Sequence, residues 1–314
     1  MKKVAILCGG GRSSERAVSL CSGRSAYEAL KGCCPTELFE LDEDRLPESL
    51  TPDKYVILPL GHGEFMEDGG LQELLEARHL SYAGSNAAAS RLCMDKIATK
   101  QIAQQLDIPT PEYILYQGQS FEEIFRFFHQ KPFVMKPDNK GSSVGVTKIR
   151  HPEDFDVQDF QTGIWFAERC IEGAEITAGL LDGKALPLIK ICPKDGFYDY
   201  RHKYTSGMTE YLVPAPIDDE MTAQMQRVAE IMFQRCGCRD FSRVDFLLDA
   251  HGFYFLEINT IPGMTVTSLL PKAAAAQGMT YADLCQRMVE AAIVRDAEYS
   301  CVSSKQEEVS IGAY

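Results

Sequence analysis

The sequence predicts an α/β protein whose C-terminal part is α+β. Three observations carry this. The chain opens on a buried apolar run, KVAILC at residues 3–8, that passes through the glycine turn GGGRSSER into a helical pattern from about Glu15 to Leu30. A second apolar run, YVILPLG at 55–61, repeats the strand signal before the loop HGEFMEDGG. Far downstream, SRVDFLLD and FYFLEINT flank a short AHG turn, which reads as an antiparallel hairpin.

Bulk properties bound the function. The chain has 314 residues, long enough for two or three domains. It is 45% hydrophobic and 25% charged, as soluble globular proteins are. A net charge of −13 argues against a general nucleic-acid binder. The 11 cysteines are scattered and odd in number, with no zinc-site spacing, so they read as reduced thiols of a cytoplasmic protein. The first apolar run is too short for a signal-peptide core, and nothing approaches membrane-spanning length. No nucleic-acid or membrane partner is expected.

The elements follow in order. Residues 1–84 form an N-terminal α/β unit that ends with a short helix over 71–78 and a closing segment. A helical pattern over 87–106 is stopped by Pro109 and Pro111. The strands PFVMKP at 132–137 and VGVTKI at 144–149 flank the turn DNKGSS, which suggests a hairpin. This central unit spans 85–169. A third unit, 170–296, holds the strands EITAGLLDG and KALPLIKIC, a polar loop at 195–210, a helix near 219–236, the late hairpin and a last helix near 280–295. Residues 297–314 read as a loose polar tail.

The late hairpin carries the sharpest chemical signal. Glu257 and Asn259 lie two apart on a strand and so share a face. Arg243 and Asp245 do the same on the partner strand. Two carboxylates, a carboxamide and a guanidinium on one surface fit a Mg²⁺ site, with Arg243 free to grip a phosphoryl or carboxylate group. They also fit a solvated polar face of an edge hairpin. The apolar residues Phe246, Leu247, Phe255, Leu256 and Ile258 show that the other face is buried. The loop MKPDNKGSSVGV is equally two-sided. Lys136 and Gly141-Ser142-Ser143 could cradle a phosphate, or simply turn a hairpin. It is not a Walker A loop, and GGGRSS lacks the GxGxxG dinucleotide pattern.

Taken together, SSERAVSL, HGEFMEDGGLQ, MDK at 94–96, KPDNKGSSVGV, FYDYRHKYTS, SRVDFLLD and LEINTIPGMTVTSL resemble the D-alanine–D-alanine ligases of the ATP-grasp superfamily, in the family's order and over about residues 3–295. The resemblance implies a Rossmann-like first domain followed by two ATP-grasp subdomains that sandwich the nucleotide between sheets. It implies ATP-dependent joining of two D-alanines through an acyl phosphate, for peptidoglycan precursor synthesis. It also implies Mg²⁺ or Mn²⁺, two ions per site, on Asp245, Glu257 and Asn259. Lys96, Lys136 and Lys203 match phosphate contacts, with Ser142 and Ser143 in the phosphate loop. Glu168, Ile171, Leu256 and Phe197 match adenine contacts and Glu175 the ribose contact. Arg243 and the Gly263 N–H match the oxyanion site. Glu15 and His62 match the first-substrate end, and Ser268 and Leu269 the second substrate's carboxylate. Ser142, Tyr204 and Glu15 match a trio that closes a lid. The family is commonly homodimeric.

Two departures stand out. Phe65 and Met66 occupy a loop that is usually small and glycine-rich, and could narrow the first pocket, repack the loop or point outward. His202 sits beside the Lys203-Tyr204 pair; the retained tyrosine favours an amine acceptor over a hydroxy acid. An ATP-grasp ligase of related specificity, such as D-Ala–D-Ser, is the alternative.

Overall fold

A computed structural model describes residues 2–10, 13, 15–141, 144–194 and 208–311, with side chains to residue 297. The expected sites at Ser142, Ser143, Phe197, Lys203 and Tyr204, and His202 with them, lie outside the described residues.

Three sheets organise the chain. The first is parallel, in the order β2 (Thr36–Leu41), β1 (Lys3–Gly9), β3 (Tyr55–Pro59). Its centre, β1, is apolar and buried from Val4 onward, as a strand covered on both faces must be. Helix α1 (Arg16–Leu30) packs on this sheet and α2 (Gly70–Ala77) follows β3.

The expected helix over 87–106 is two helices, α3 (Ala87–Met94) and α4 (Lys96–Gln105). The break is Asp95, whose extended backbone ends α3 while its side chain accepts from Ala98 N and caps α4. Two turns of apolar period hide such a break, because the face is resumed after it. The second sheet is β4 (Tyr113–Leu115), β7 (Trp165–Arg169), β5 (Phe133–Pro137), β6 (Thr147–Ile149). β5 and β6 form the expected hairpin, although β6 starts at Thr147 rather than 144. Helix α5 (Phe121–Phe127), capped by a Ser120/Glu123 box, packs Ile124 and neighbouring Phe128 against Phe133 and Met135 of β5.

The third sheet is antiparallel, in the order β11 (Thr209–Leu212), β10 (Ile189–Pro193), β8 (Ala174–Leu181), β12 (Phe241–Asp249), β13 (Gly252–Asn259), with the two-residue β9 (Lys184–Ala185) on β8. The run KALPLIKIC is therefore split into β9 and β10 rather than one strand. Pro187 has no N–H for a ladder and lies in the gap. Helix α6 (Asp219–Arg235) covers one face of this sheet. Its Met225, Ala229, Met232 and Phe233 meet Val244, Phe246, Phe255 and Ile258. The opposite face of β12 and β13 is left for polar residues.

Helices α7 (Leu269–Ala275) and α8 (Tyr281–Ile311) close the chain. α8 runs well past the expected end near 295 and takes in most of the expected loose tail. The stretch 297–311 contains no glycine or proline, so nothing in it breaks a helix, however polar it is. Leu270, Leu284 and Met288 share one core with Val4, Ile6 and Leu58 of the first sheet. Ala26 and Leu30 of α1 join the same core.

Candidate active site

A cavity of about 1080 Å³ lies between the second and third sheets and extends to the starts of α1 and α7. Every described residue expected in the site lines it: Glu15 and His62 at one end; Lys96 at the start of α4; Lys136 and Glu168 along the second sheet; Ile171 and Glu175 at the crossing; Arg243, Asp245, Leu256, Glu257 and Asn259 on the hairpin; Gly263, Ser268 and Leu269 beside α7.

The hairpin register explains the polar face. Arg243 pairs with Asn259 and Asp245 with Glu257. Past that point the register shifts, so Phe246 opposes Phe255 and Leu256 is the extra residue of a β-bulge. A bulge puts two successive residues on one face. This is why Leu256 and Glu257 both line the cavity while Phe255 and Ile258 stay in the core.

Asp245 is tightly held. Its Oδ1 accepts from Arg243 Nε (2.8 Å) and Thr177 Oγ1 (2.6 Å); its Oδ2 accepts from Arg243 Nη2 (2.7 Å) and Asn259 Nδ2 (3.1 Å). Glu257 Oε2 lies 3.4 Å from Lys96 Nζ. These two carboxylates and the Asn259 carboxamide form a hard-oxygen set able to hold a divalent cation. Among the described residues no cluster of three or more His, Cys, Asp or Glu has metal-holding geometry, so the carboxamide is needed to complete the set.

Lys96 is the first residue of α4, where the helix dipole disfavours a cation. It is held there by loop carbonyls: Nζ donates to Lys140 O at 2.7 Å and lies 3.5 Å from Asp138 O. Lys136 pairs with Glu168 Oε1 at 2.6 Å. Burial opposes the Lys136 charge, but Glu168 more than offsets it and the ammonium is held above its ordinary range. Burial likewise opposes the Glu168 charge, and Lys100 and Lys136 together hold that carboxyl below its usual range.

At the far end, Glu15 is 5% exposed and sits just before α1. His62 N donates to Ser19 Oγ at 2.8 Å, and its Nδ1 lies 3.6 Å from Glu67 Oε2. A Cβ on Gly141 would come within 3.1 Å of Glu15 Oε2 and 3.2 Å of Glu67 Oε1, a tight approach that glycine relieves. Ser268 Oγ accepts from Thr265 N at 3.0 Å, and a Cβ on Gly263 would stand 3.0 Å from that oxygen.

Phe65 and Met66 do not line the cavity. Met66 is fully buried, against Gly10 and Gly61, where any Cβ would collide with its side chain. Of the three options open for this loop, Met66 takes repacking. Glu67, the next residue, does line the cavity and was missed. Lys100, Lys140 and Thr177 were missed too. Lys100 follows Lys96 by one helical turn, a spacing visible in MDKIATK. Thr177 carries no sequence signal and comes to Asp245 only through the β8–β12 register.

The family profile described as D-ala D-ala ligase C-terminus matches residues 102–290. A D-alanine–D-alanine ligase of Syntrophotalea carbinolica is 42% identical over 94% of this chain and 97% of its own. The chain belongs to the D-alanine–D-alanine ligase family. Its fold is ATP-grasp. A ligase of this family from Bacillus anthracis, solved in complex with ATP, superposes with a TM-score of 0.78 at 28% identity, covering 95% of this chain and 100% of that one. The VanG D-Ala:D-Ser ligase of Enterococcus faecalis superposes with a TM-score of 0.76 at 24% identity, covering 93% and 99%. At that identity the likeness establishes the fold alone. Members of the family are ATP-dependent ligases, and the Bacillus anthracis relative was solved with ATP bound. Among the described residues no helix is long and apolar enough to cross a membrane.

Proposed function

We propose that this chain joins two D-alanine molecules to D-alanyl-D-alanine, with ATP converted to ADP and phosphate. What supports this is the convergence, in one cavity, of lysines for a triphosphate, an oxygen set for a hard cation, a guanidinium, and polar groups at the starts of two helices. The family's named activity in its relatives points the same way.

In this reading the first D-alanine places its ammonium against Glu15 near His62. Its carboxylate attacks the γ-phosphorus, ADP leaves, and an acyl phosphate forms. Lys96, Lys136 and Lys203 orient and neutralise the phosphates. Asp245, Glu257 and Asn259 are the residues that would hold Mg²⁺ or Mn²⁺, two ions per site. The cations supply charge neutralisation to the triphosphate. The second D-alanine, its carboxylate held by Ser268 and the Leu269 N–H at the start of α7, attacks the acyl carbon through its amine. Arg243 and the Gly263 N–H then face the tetrahedral oxyanion. Phosphate leaves as the amide forms.

Glu168, Ile171, Leu256 and Phe197 seat the adenine and Glu175 the ribose. Ser142, Ser143 and Tyr204 cover the phosphates, shielding the acyl phosphate from water. The packing of Met66 into the core removes one reason to expect an altered first substrate. The chain would act in the cytoplasm as a homodimer, in cell-wall precursor synthesis; sedimentation of the pure protein tests the dimer. Mass detection of the dipeptide after incubation with ATP, Mg²⁺ and D-alanine, against D-serine and D-lactate, tests the reaction and its acceptor.

A further inference from the structure

Among the described residues, Lys100 is one of the largest fully buried side chains, at 1% exposure. Its ammonium lies 2.5 Å from Glu168 Oε2. It donates to Thr110 Oγ1 at 2.8 Å, lies 3.4 Å from Pro111 O, and stands 5.5 Å from the centre of the Tyr113 ring. Glu168 gives its other oxygen to Lys136. One carboxylate, 2% exposed, is thus clamped between two ammoniums. A single lysine would neutralise it; the second draws its remaining compensation from Glu257 and Glu175 and can meet an arriving anion.

The two lysines are not equivalent. Lys100 is enclosed by Thr110, Pro111 and Tyr113. The Lys136 side chain is 17% exposed and stands on the strand that leads into the phosphate loop. Both line the cavity, but Lys136 is the more exposed of the two and the better placed to turn toward a ligand.

We propose that Lys100 is a positioning residue of the nucleotide seat: as the fixed counter-ion of Glu168 it keeps that carboxylate ionised toward the purine 6-amino group and releases Lys136 to a phosphate. This rests on reading the cavity as the ATP site with Glu168 at the purine edge.

The logic is one of donors and acceptors. An ionised carboxylate only accepts hydrogen bonds, so it welcomes a 6-amino purine and repels a 6-oxo one. Without Lys100, Glu168 has two ways to stay satisfied. It can keep Lys136 as its sole partner, which withholds that lysine from the phosphates. It can take up a proton, which gives it a donor and blurs the choice of base. Burial pushes Lys100 down to about 8, against the pull of Glu168. The charged groups acting on it are Glu168 on β7, Lys136 on β5 and Glu257 on β13. Loss of its proton above that pH should mimic its removal.

The test is equilibrium binding of Mg²⁺-ATP and Mg²⁺-ITP, without amino acids, to the full chain and to K100M and E168Q. K100M should lose about tenfold in ATP affinity, one charge-assisted contact's worth, and most of its preference for ATP over ITP. In turnover the KM for ATP should rise more than kcat falls. E168Q separates the two readings. If E168Q keeps the ATP preference, Glu168 is not at the purine edge and the underlying assignment fails. If E168Q loses it but folded K100M keeps both affinity and preference, the role of Lys100 is overturned while the seat stands. Should K100M not fold, the unaltered protein decides. ATP affinity should fall between about pH 7 and about pH 9, with a midpoint near the Lys100 titration. Affinity that stays level across that range overturns the proposal.

Discussion

Arg243 and Asp245, two positions apart on β12, are joined by two hydrogen bonds, Nε to Oδ1 at 2.8 Å and Nη2 to Oδ2 at 2.7 Å. A carboxylate has about four acceptor positions, and here Thr177 and Asn259 take the others. The arginine assigned to the oxyanion and the aspartate assigned to the cation are therefore paired with each other. A cation on Asp245 must displace one of these donors.

Asp245→Asn tests that relationship from the metal side. Mn²⁺ affinity, followed by electron paramagnetic resonance of the free ion, should weaken by about tenfold or more, as the loss of one ligand's charge implies. Stability should drop by about 1–3 kcal/mol, because Arg243 loses its charged partner. Unchanged Mn²⁺ affinity would remove Asp245 from the cation site.

Glu257→Gln should leave a folded protein with a circular dichroism spectrum like the parent's. Phosphate release at saturating D-alanine should fall by about a hundredfold or more, since several kcal/mol of charge neutralisation is lost. Turnover at the parent's level with ordinary Mg²⁺ would contradict the assignment.

Gly141→Ala adds a Cβ 3.1 Å from Glu15 Oε2 and 3.2 Å from Glu67 Oε1. Either the loop or the two carboxylates must shift by a few tenths of an ångström. The KM for D-alanine should rise by about tenfold, as expected when a positioning contact is displaced by a fraction of an ångström. The urea midpoint should stay close to that of the parent. An unchanged KM would mean that this approach is not used by the substrate.

Glu168 makes stability depend on acid in a definite direction. Its folded titration lies below the ordinary value of 4.5, so the stabilisation is complete above that pH and is lost as pH falls below it. Glu168→Gln removes the anion from between Lys100 and Lys136 and should be less stable than the parent at neutral pH. That gap should narrow as pH drops below 4.5. Denaturant unfolding of both proteins at neutral and acid pH measures it, and a gap that stays constant would contradict the ion triad.

Much of this site was legible in the sequence because strand period is short-range. Glu257 and Asn259 announce one face from their own spacing, and the AHG turn delivers Asp245 opposite Glu257. The bulge at Leu256 was not legible, since a register shift is decided between strands. Lys100 and Thr177 were missed for a related reason: their partners, Glu168 and Asp245, are distant in sequence. The bulky pair Phe65-Met66 looked like a change in the pocket, and only the glycines at positions 10 and 61 reveal where Met66 goes. The Asp95 break between α3 and α4 was readable in principle. An aspartate before a lysine-rich helical run is a cap signal, and it was masked by continuous apolar spacing on both sides.

The most direct test of the central claim is phosphate release from Mg²⁺-ATP with D-alanine as the only amino acid, paired with mass detection of the product. The account predicts strong release and D-alanyl-D-alanine in equal amount. Release that needs a second compound, or phosphate without dipeptide, would contradict it.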